Sequence, residues 1–287
     1  MAKKKMKNFK VIYGLVVAIF IIATALFGEK INSNETFAYG ESVVVRYLDV
    51  GQADSILVQS EGINMLIDAG TNSSGQTVVK DLEDLGVTKI DYLIGTHPHE
   101  DHIGGMDDVI KNFDIGIIYM PKIQTNTKTF EDVLDAVSEK GLKITSPKKG
   151  DEFEVGGARC EIMTDGIEDT SNLNLSSIVI RMTYGTQSFL FMGDAEKENE
   201  ETRQWPQTTV LKVGHHGSST SSSTQFLNEV QPQISIISVG KDNKYGHPTK
   251  TTINKLEKIK TKIYRTDESG TITITCDGKK CIVTTEK

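Results

Sequence analysis

The chain has six histidines, and every one falls in a short glycine- or proline-rich segment at the end of a strand-like run. Three sit in His97-Pro98-His99-Glu100-Asp101-His102, two in Gly214-His215-His216-Gly217-Ser218, and one in Tyr245-Gly246-His247-Pro248. Histidines scattered over a surface by chance do not cluster this way. Imidazole and carboxylate are the ligands that suit zinc and its neighbours. In a loop leaving a strand, His97 and His99 can face one ion. Asp101 and His102 then turn towards a second site as a helix begins, and Gly104-Gly105 lets that turn pack closely.

Around these segments, short apolar strands alternate with helical patterns. Val43–Leu48, Ser55–Gln59, Ile63–Ile67, Asp91–Gly95, Ile115–Tyr119 and Leu142–Thr145 read as strands of the first half. Helices are expected over Thr77–Leu85, from about His102 to Phe113, and over Phe130–Lys140. The second half repeats this grammar. Its strands are Glu152–Val155, Arg159–Met163, Ser177–Tyr184, Ser188–Met192, Thr209–Val213, Ile234–Val239 and Ile263–Thr266. Its helices are Ala195–Arg203, Ser223–Val230 and Thr251–Lys258. Two sheet-rich halves with interleaved helices predict an α/β protein, a four-layer α/β/β/α sandwich in one domain over residues 39–287.

Of the three cysteines, Cys276 and Cys281 flank Asp277-Gly278-Lys279-Lys280 between two alternating stretches, a hairpin signal. They pair as a disulfide or remain two thiols on a terminal hairpin. Cys160 reads as core, and no cysteine lies near the histidine segments.

The N-terminus carries lysines at positions 3, 4, 5, 7 and 10, then an unbroken apolar run from Val11 to Phe27. Thr36-Phe37-Ala38 offers a small-residue cleavage site. Residues 1–38 read as a secretory signal peptide or an uncleaved N-terminal membrane anchor. Either places the domain over residues 39–287 outside the cytoplasm, secreted or on the outer face of the membrane. The formal charge is −7, and without the leader 26 basic residues face 37 acidic ones. So acidic a body excludes a broad nucleic-acid-binding surface. An anionic substrate has to be held locally, for instance by metal charge.

The histidine segments resemble the signature of the metallo-β-lactamase superfamily. Leu48-Asp49-Val50-Gly51-Gln52-Ala53-Asp54-Ser55, Leu66-Ile67-Asp68-Ala69-Gly70, Gly193-Asp194, Lys212 to Ser218 and Asn243 to Pro248 follow in order. Together they are similar to the hydrolase domain at the end of ComEC-type competence proteins, which is thought to degrade one DNA strand during uptake. The resemblance implies two Zn2+ ions, or Mn2+, held by His97, His99, Asp101, His102, Asp194 and a histidine of the His215-His216 pair. Asp194 is expected to bridge them. Asp49, Asp54 and Asp68 would orient ligands or simply form turns. Ser218 would donate to a phosphate oxygen or cap a helix, and His247 would contact substrate or sit buried. Many superfamily members carry a further ligand histidine before Gly193-Asp194, and this chain has none from 103 to 214. One site would then hold only His97, His99 and Asp194. The many membrane spans of the ComEC channel are absent from this sequence.

The expected chemistry is metal-assisted hydrolysis of a phosphodiester by a metal-bound hydroxide, with Asp101 or Asp194 relaying a proton and His247 and Ser218 touching substrate. DNA or a small cell-envelope phosphodiester is the expected substrate. The alternatives are an acyl hydrolase opening a lactam, lactone or thioester, a choline-phosphate or teichoic-acid esterase, and a non-catalytic accessory module.

Overall fold

The structure, a computed structural model, describes residues 42–169 and 171–287. The leader expected over 1–38 lies outside them. No helix among the described residues is long and apolar enough to cross a membrane.

The first sheet opens with β1 (Val43–Tyr47), β2 (Ile56–Ser60) and β3 (Ile63–Ile67), followed by β4 (Lys89–Ile94), β5 (Asp114–Tyr119) and β6 (Ile144–Thr145). The terminal hairpin β14 (Ile272–Cys276) and β15 (Cys281–Thr285) completes it, in the order β15-β14-β1-β2-β3-β4-β5-β6. The second sheet contains β7 (Glu152–Val155), β8 (Ala158–Thr164), β9 (Val179–Tyr184), β10 (Gln187–Phe191), β11 (Val210–Lys212), β12 (Ile234–Ile237) and β13 (Lys262–Arg265). Its seven strands run β13-β12-β11-β10-β9-β8-β7.

Period-two alternation decides which face of each strand meets which layer. Val43, Val45, Tyr47, Ile56, Val58, Met65 and Ile67 point between the sheets, where they meet Cys160, Ile162, Ile180, Phe189 and Phe191. Leu57 and Leu66 point the other way, beneath α1 (Gly75–Asp84), α3 (Met106–Asn112) and α4 (Lys128–Glu139). On the outer face of the second sheet, Leu190, Leu211 and Ile237 pack under Trp205, Phe226 and Leu256. The last two belong to α6 (Thr224–Val230) and α7 (Lys250–Lys258). Three apolar layers between four layers of secondary structure are the expected α/β/β/α sandwich.

Two helices differ from expectation. The helix foreseen from His102 to Phe113 is broken into α2 (Glu100–Ile103) and α3. The break falls at Gly104-Gly105, which lies against backbone. A Cβ on Gly104 would stand 2.2 Å from Asn72 N, and one on Gly105 2.3 Å from Ala69 O. The charged helix foreseen over Ala195–Arg203 shrinks to α5 (Lys197–Glu200), opened by a capping box between Glu196 and Asn199. A short helix α8 (Thr266–Ser269) had no sequence signal. Cys276 and Cys281 lie opposite each other and form a disulfide. Cys160 is a free thiol buried between the sheets, where burial pushes its pKa up.

Candidate metal centre

The sheets use parallel pairing where it matters for the site: β3 with β4, β10 with β11, and β11 with β12. The loops leaving these strands carry Asp68, His97 to His102, Asp194, His215-His216 and His247, and they meet along one edge of the sandwich. Ligand sites in α/β sheets form in this position, beyond the carboxyl ends of parallel strands.

Asp194 lies at the middle and is buried. Its Oδ1 is 3.2 Å from His102 Nε2 and 3.5 Å from His216 Nε2. Its Oδ2 is 3.6 Å from His215 Nε2 and 4.0 Å from His97 Nε2. The two oxygens thus face different imidazole pairs. Asp101 Oδ2 joins the first group, 3.4 Å from His216 Nε2. His99 joins the second, its Nδ1 2.9 Å from His97 Nε2.

The first group fits a metal ion. Ligand atoms of Asp101, His102, Asp194 and His216 all lie within 4.8 Å of one another. His102 Nε2, Asp194 Oδ1 and His216 Nε2 are buried without a hydrogen-bond partner. Such orphaned groups are expensive unless something else satisfies them. Three of them converging on one point are a cradle for a cation.

The charges agree. Burial works against an ionised Asp194, yet the His216, His102 and His215 imidazoles outweigh it and hold the carboxyl well below its usual range. Burial likewise opposes a charged His102, but Asp194 and Asp68 raise its pKa well above the ordinary value. His216 is raised by Asp194 and Asp54 against the same opposition. His97 goes the other way, lowered by burial and by neighbouring His102. Protons shared between carboxylates and imidazoles in this way are what a metal ion displaces.

A supporting layer orients the ligands. Asp68, buried at φ +59°, accepts from Thr96 N and Thr96 Oγ1, each at 2.8 Å, and lies 2.7 Å from His102 Nδ1. That contact turns Nε2 of His102 to the cradle. His216 Nδ1 donates to Ser238 O at 2.9 Å. Asp54 sits 3.4 Å from the same nitrogen and forms a buried ion pair with Lys212 at 2.7 Å.

His215 and His216 face different partners. Both adopt left-handed conformations, φ +49° and +51°, inside the turn Gly214–Gly217. His216 reaches Asp101 and Asp194. His215 Nδ1 instead meets Glu196 Oε1 at 3.1 Å and Thr220 Oγ1 at 3.2 Å. Its Nε2 consequently looks at the other Asp194 oxygen, the half left short of a histidine by the sequence.

Other expected site residues fall at different depths. His247 lines a cleft of about 470 Å³ with His99, Asp101, Asp194, His215 and His216. Burial, then His215, lowers its pKa to about 4. Ser218 is not among the residues lining that cleft. Its Oγ bonds Thr220 Oγ1 at 3.0 Å and braces the turn. Asp49 does not orient a ligand, since its carboxylate faces Lys287 at 3.2 Å. Glu196 was not foreseen. It gathers Asn172, Asn174, Thr220 and His215, and its only sequence trace is the capping spacing to Asn199.

A profile of the metallo-beta-lactamase superfamily matches residues 48–241, and the chain belongs to that superfamily. It is 33% identical over 250 residues to ComE operon protein 3 of Bacillus subtilis, covering 79% of this chain and 32% of the relative. It is 31% identical over 230 residues to competence protein ComA of Neisseria gonorrhoeae, covering 78% and 31%. The chain therefore spans about a third of the length of the curated relatives it matches. Among solved structures, the metallo-beta-lactamase fold protein YhfI from Bacillus subtilis shares the fold at a TM-score of 0.56 and 11% identity, over 81% of this chain and 99% of that one.

Proposed function

We propose that the chain is a zinc-dependent phosphodiesterase of nuclease type that works outside the cytoplasmic membrane. The observation that carries this reading is the division of Asp194, one oxygen toward His102 and His216 and the other toward His97 and His215. His97, His99 and His215 would hold one cation, Asp101, His102 and His216 the other, and Asp194 both. When bound, such a pair of cations lowers the pKa of water to about 7 and neutralises charge on a phosphate oxygen. Manganese would suit the same donors.

The protein's own groups supply the rest. Asp68 and Glu196 fix two rings by their Nδ1 atoms, so the nitrogens facing the cations do not wander. Asp101 lines the cleft, and its carboxylate, held ionised by His216 and His102 against the effect of burial, would accept a proton from the attacking water and pass it to the leaving oxygen. His247, neutral at physiological pH, offers a ring N–H to substrate as a donor without charge. The relative named for competence makes DNA the first substrate to try.

The zinc-loaded protein is tested against bis-p-nitrophenyl phosphate, linear DNA and nitrocefin, with and without chelator. Chelator-sensitive cleavage of either phosphodiester is expected. Turnover of nitrocefin with neither phosphodiester cleaved would make it an acyl hydrolase. Location is tested by adding protease to intact cells, and full protection of the protein contradicts an outer-face site.

A further inference from the structure

The geometry points to a stacking shelf for a planar ring of the substrate, formed by Tyr245 with Lys244 on the wall of the metal cleft. This rests on the phosphodiesterase reading and adds a subsite to it. Among the described residues, few large apolar side chains stand exposed, and Tyr245 is the one of them that lines this cleft. Its relative exposure is 55%, the highest of that group. An aromatic ring left in water beside a catalytic centre calls for something to cover it.

The loop that carries the ring is held from within. Asn243 Nδ2 donates to Gly240 O at 2.9 Å and His247 O at 2.6 Å. Asn243 Oδ1 accepts from Tyr245 N at 3.2 Å and His247 N at 3.1 Å. Gly240 N in turn donates to Gln52 Oε1 at 3.0 Å, which ties the loop to another residue that lines the cleft. Tyr245 is thus presented by a braced turn.

The ring continues a row that ends at the metal cradle. Tyr245 lies 5.8 Å from the His247 ring at an interplanar angle of 23°, a stacked arrangement. His247 lies 5.4 Å from His215 edge-on, and His215 faces Asp194. The shelf would take the planar ring of a substituent on a phosphodiester held at the cradle. The Lys244 ammonium lies 5.0 Å from the centre of the tyrosine ring. The side chain is exposed and unbranched, so an incoming base can displace it from the ring. The ammonium is then free to meet the adjoining phosphate, a local positive charge on an acidic body. Planar bases stack on aromatic faces without regard to sequence, and each such contact is worth roughly 1–3 kcal/mol, or about five-fold upward in affinity.

The test compares a short oligothymidylate with a strand of equal length built from abasic residues, using the zinc-loaded full chain. The parent and Tyr245→Phe should show a KM at least about five-fold lower for the base-bearing strand, and Tyr245→Ala a ratio near one. A merely structural tyrosine would shift both substrates by the same factor. Binding is read separately, without turnover, from the fluorescence of a 2-aminopurine trinucleotide added to chelator-treated protein. Parent and Tyr245→Phe should quench it, and Tyr245→Ala should not. Equal KM for the two strands in the parent, or quenching unchanged in Tyr245→Ala, overturns the shelf and leaves the phosphodiesterase reading standing. If neither strand is cleaved, that reading fails, and the shelf stands or falls on the fluorescence.

Discussion

Nε2 of His216 stands 3.4 Å from Oδ2 of Asp101, while the adjacent His215 meets Glu196 through its Nδ1. The two imidazoles should therefore behave differently. His216→Ala should remove the cation shared with Asp101 and His102, and His215→Ala should leave it bound. Zinc content by elemental analysis distinguishes them. Loss of the same cation from both variants contradicts the division.

Asp68 meets His102 Nδ1 and would act on a bound cation through that ring. Asp68→Asn keeps the shape but weakens the 2.7 Å contact that sets the ring. Removing such a supporting carboxylate typically lowers metal affinity about 10- to 100-fold. Competition with a calibrated chelator measures it, and an unchanged affinity would show that the ring is fixed by packing alone.

Lys212 is wholly buried and balances Asp54 behind His216. Lys212→Met removes the ammonium that balances this buried carboxylate, which destabilises by about 3–5 kcal/mol. Combining it with Asp54→Leu removes the stranded charge and should recover most of the loss. Urea unfolding of the metal-free variants gives both numbers. A double variant no more stable than Lys212→Met would refute the pairing argument.

His247 gives a pH dependence of defined sign. Its pKa is depressed to about 4 in the folded chain, against roughly 6.5 when unfolded. Above the unfolded value both states are neutral and its contribution is fully present. As pH falls from about 6.5 toward 4, the unfolded chain takes a proton that the folded chain refuses, so stability is lost. The ring is only half buried, and solvent screening makes the effect smaller than the shift alone implies. His247→Asn should lose less stability than the parent between pH 7 and pH 4.5, read as urea midpoints. Equal losses contradict the assignment.

Much of this was legible because strand ends and ligands coincide. β3 falls on Ile63–Ile67 as expected, since Gly62 and Gly70 punctuate an alternating run. His97, His99, Asp101, His102 and Asp194 were readable as one cluster from the spacing of the segments and their family resemblance. What stayed hidden depends on contacts distant in sequence. The direction of His215 is set by Glu196, and the role of Asp49 by Lys287 at the end of the chain. The break at Gly104-Gly105 was announced by two glycines, but its cause is the approach of Asn72 and Ala69 backbone. Tyr245 was part of a recognised motif, yet its exposure follows from the Asn243 brace, which only coordinates reveal.

Whether Asp194 joins two cations can be read from diffraction at the zinc absorption edge, with crystals grown in zinc. Two anomalous peaks are expected, one at Oδ1 beside His102 and His216, the other at Oδ2 beside His97 and His215. A single peak, or peaks that leave either oxygen of Asp194 untouched, would contradict it.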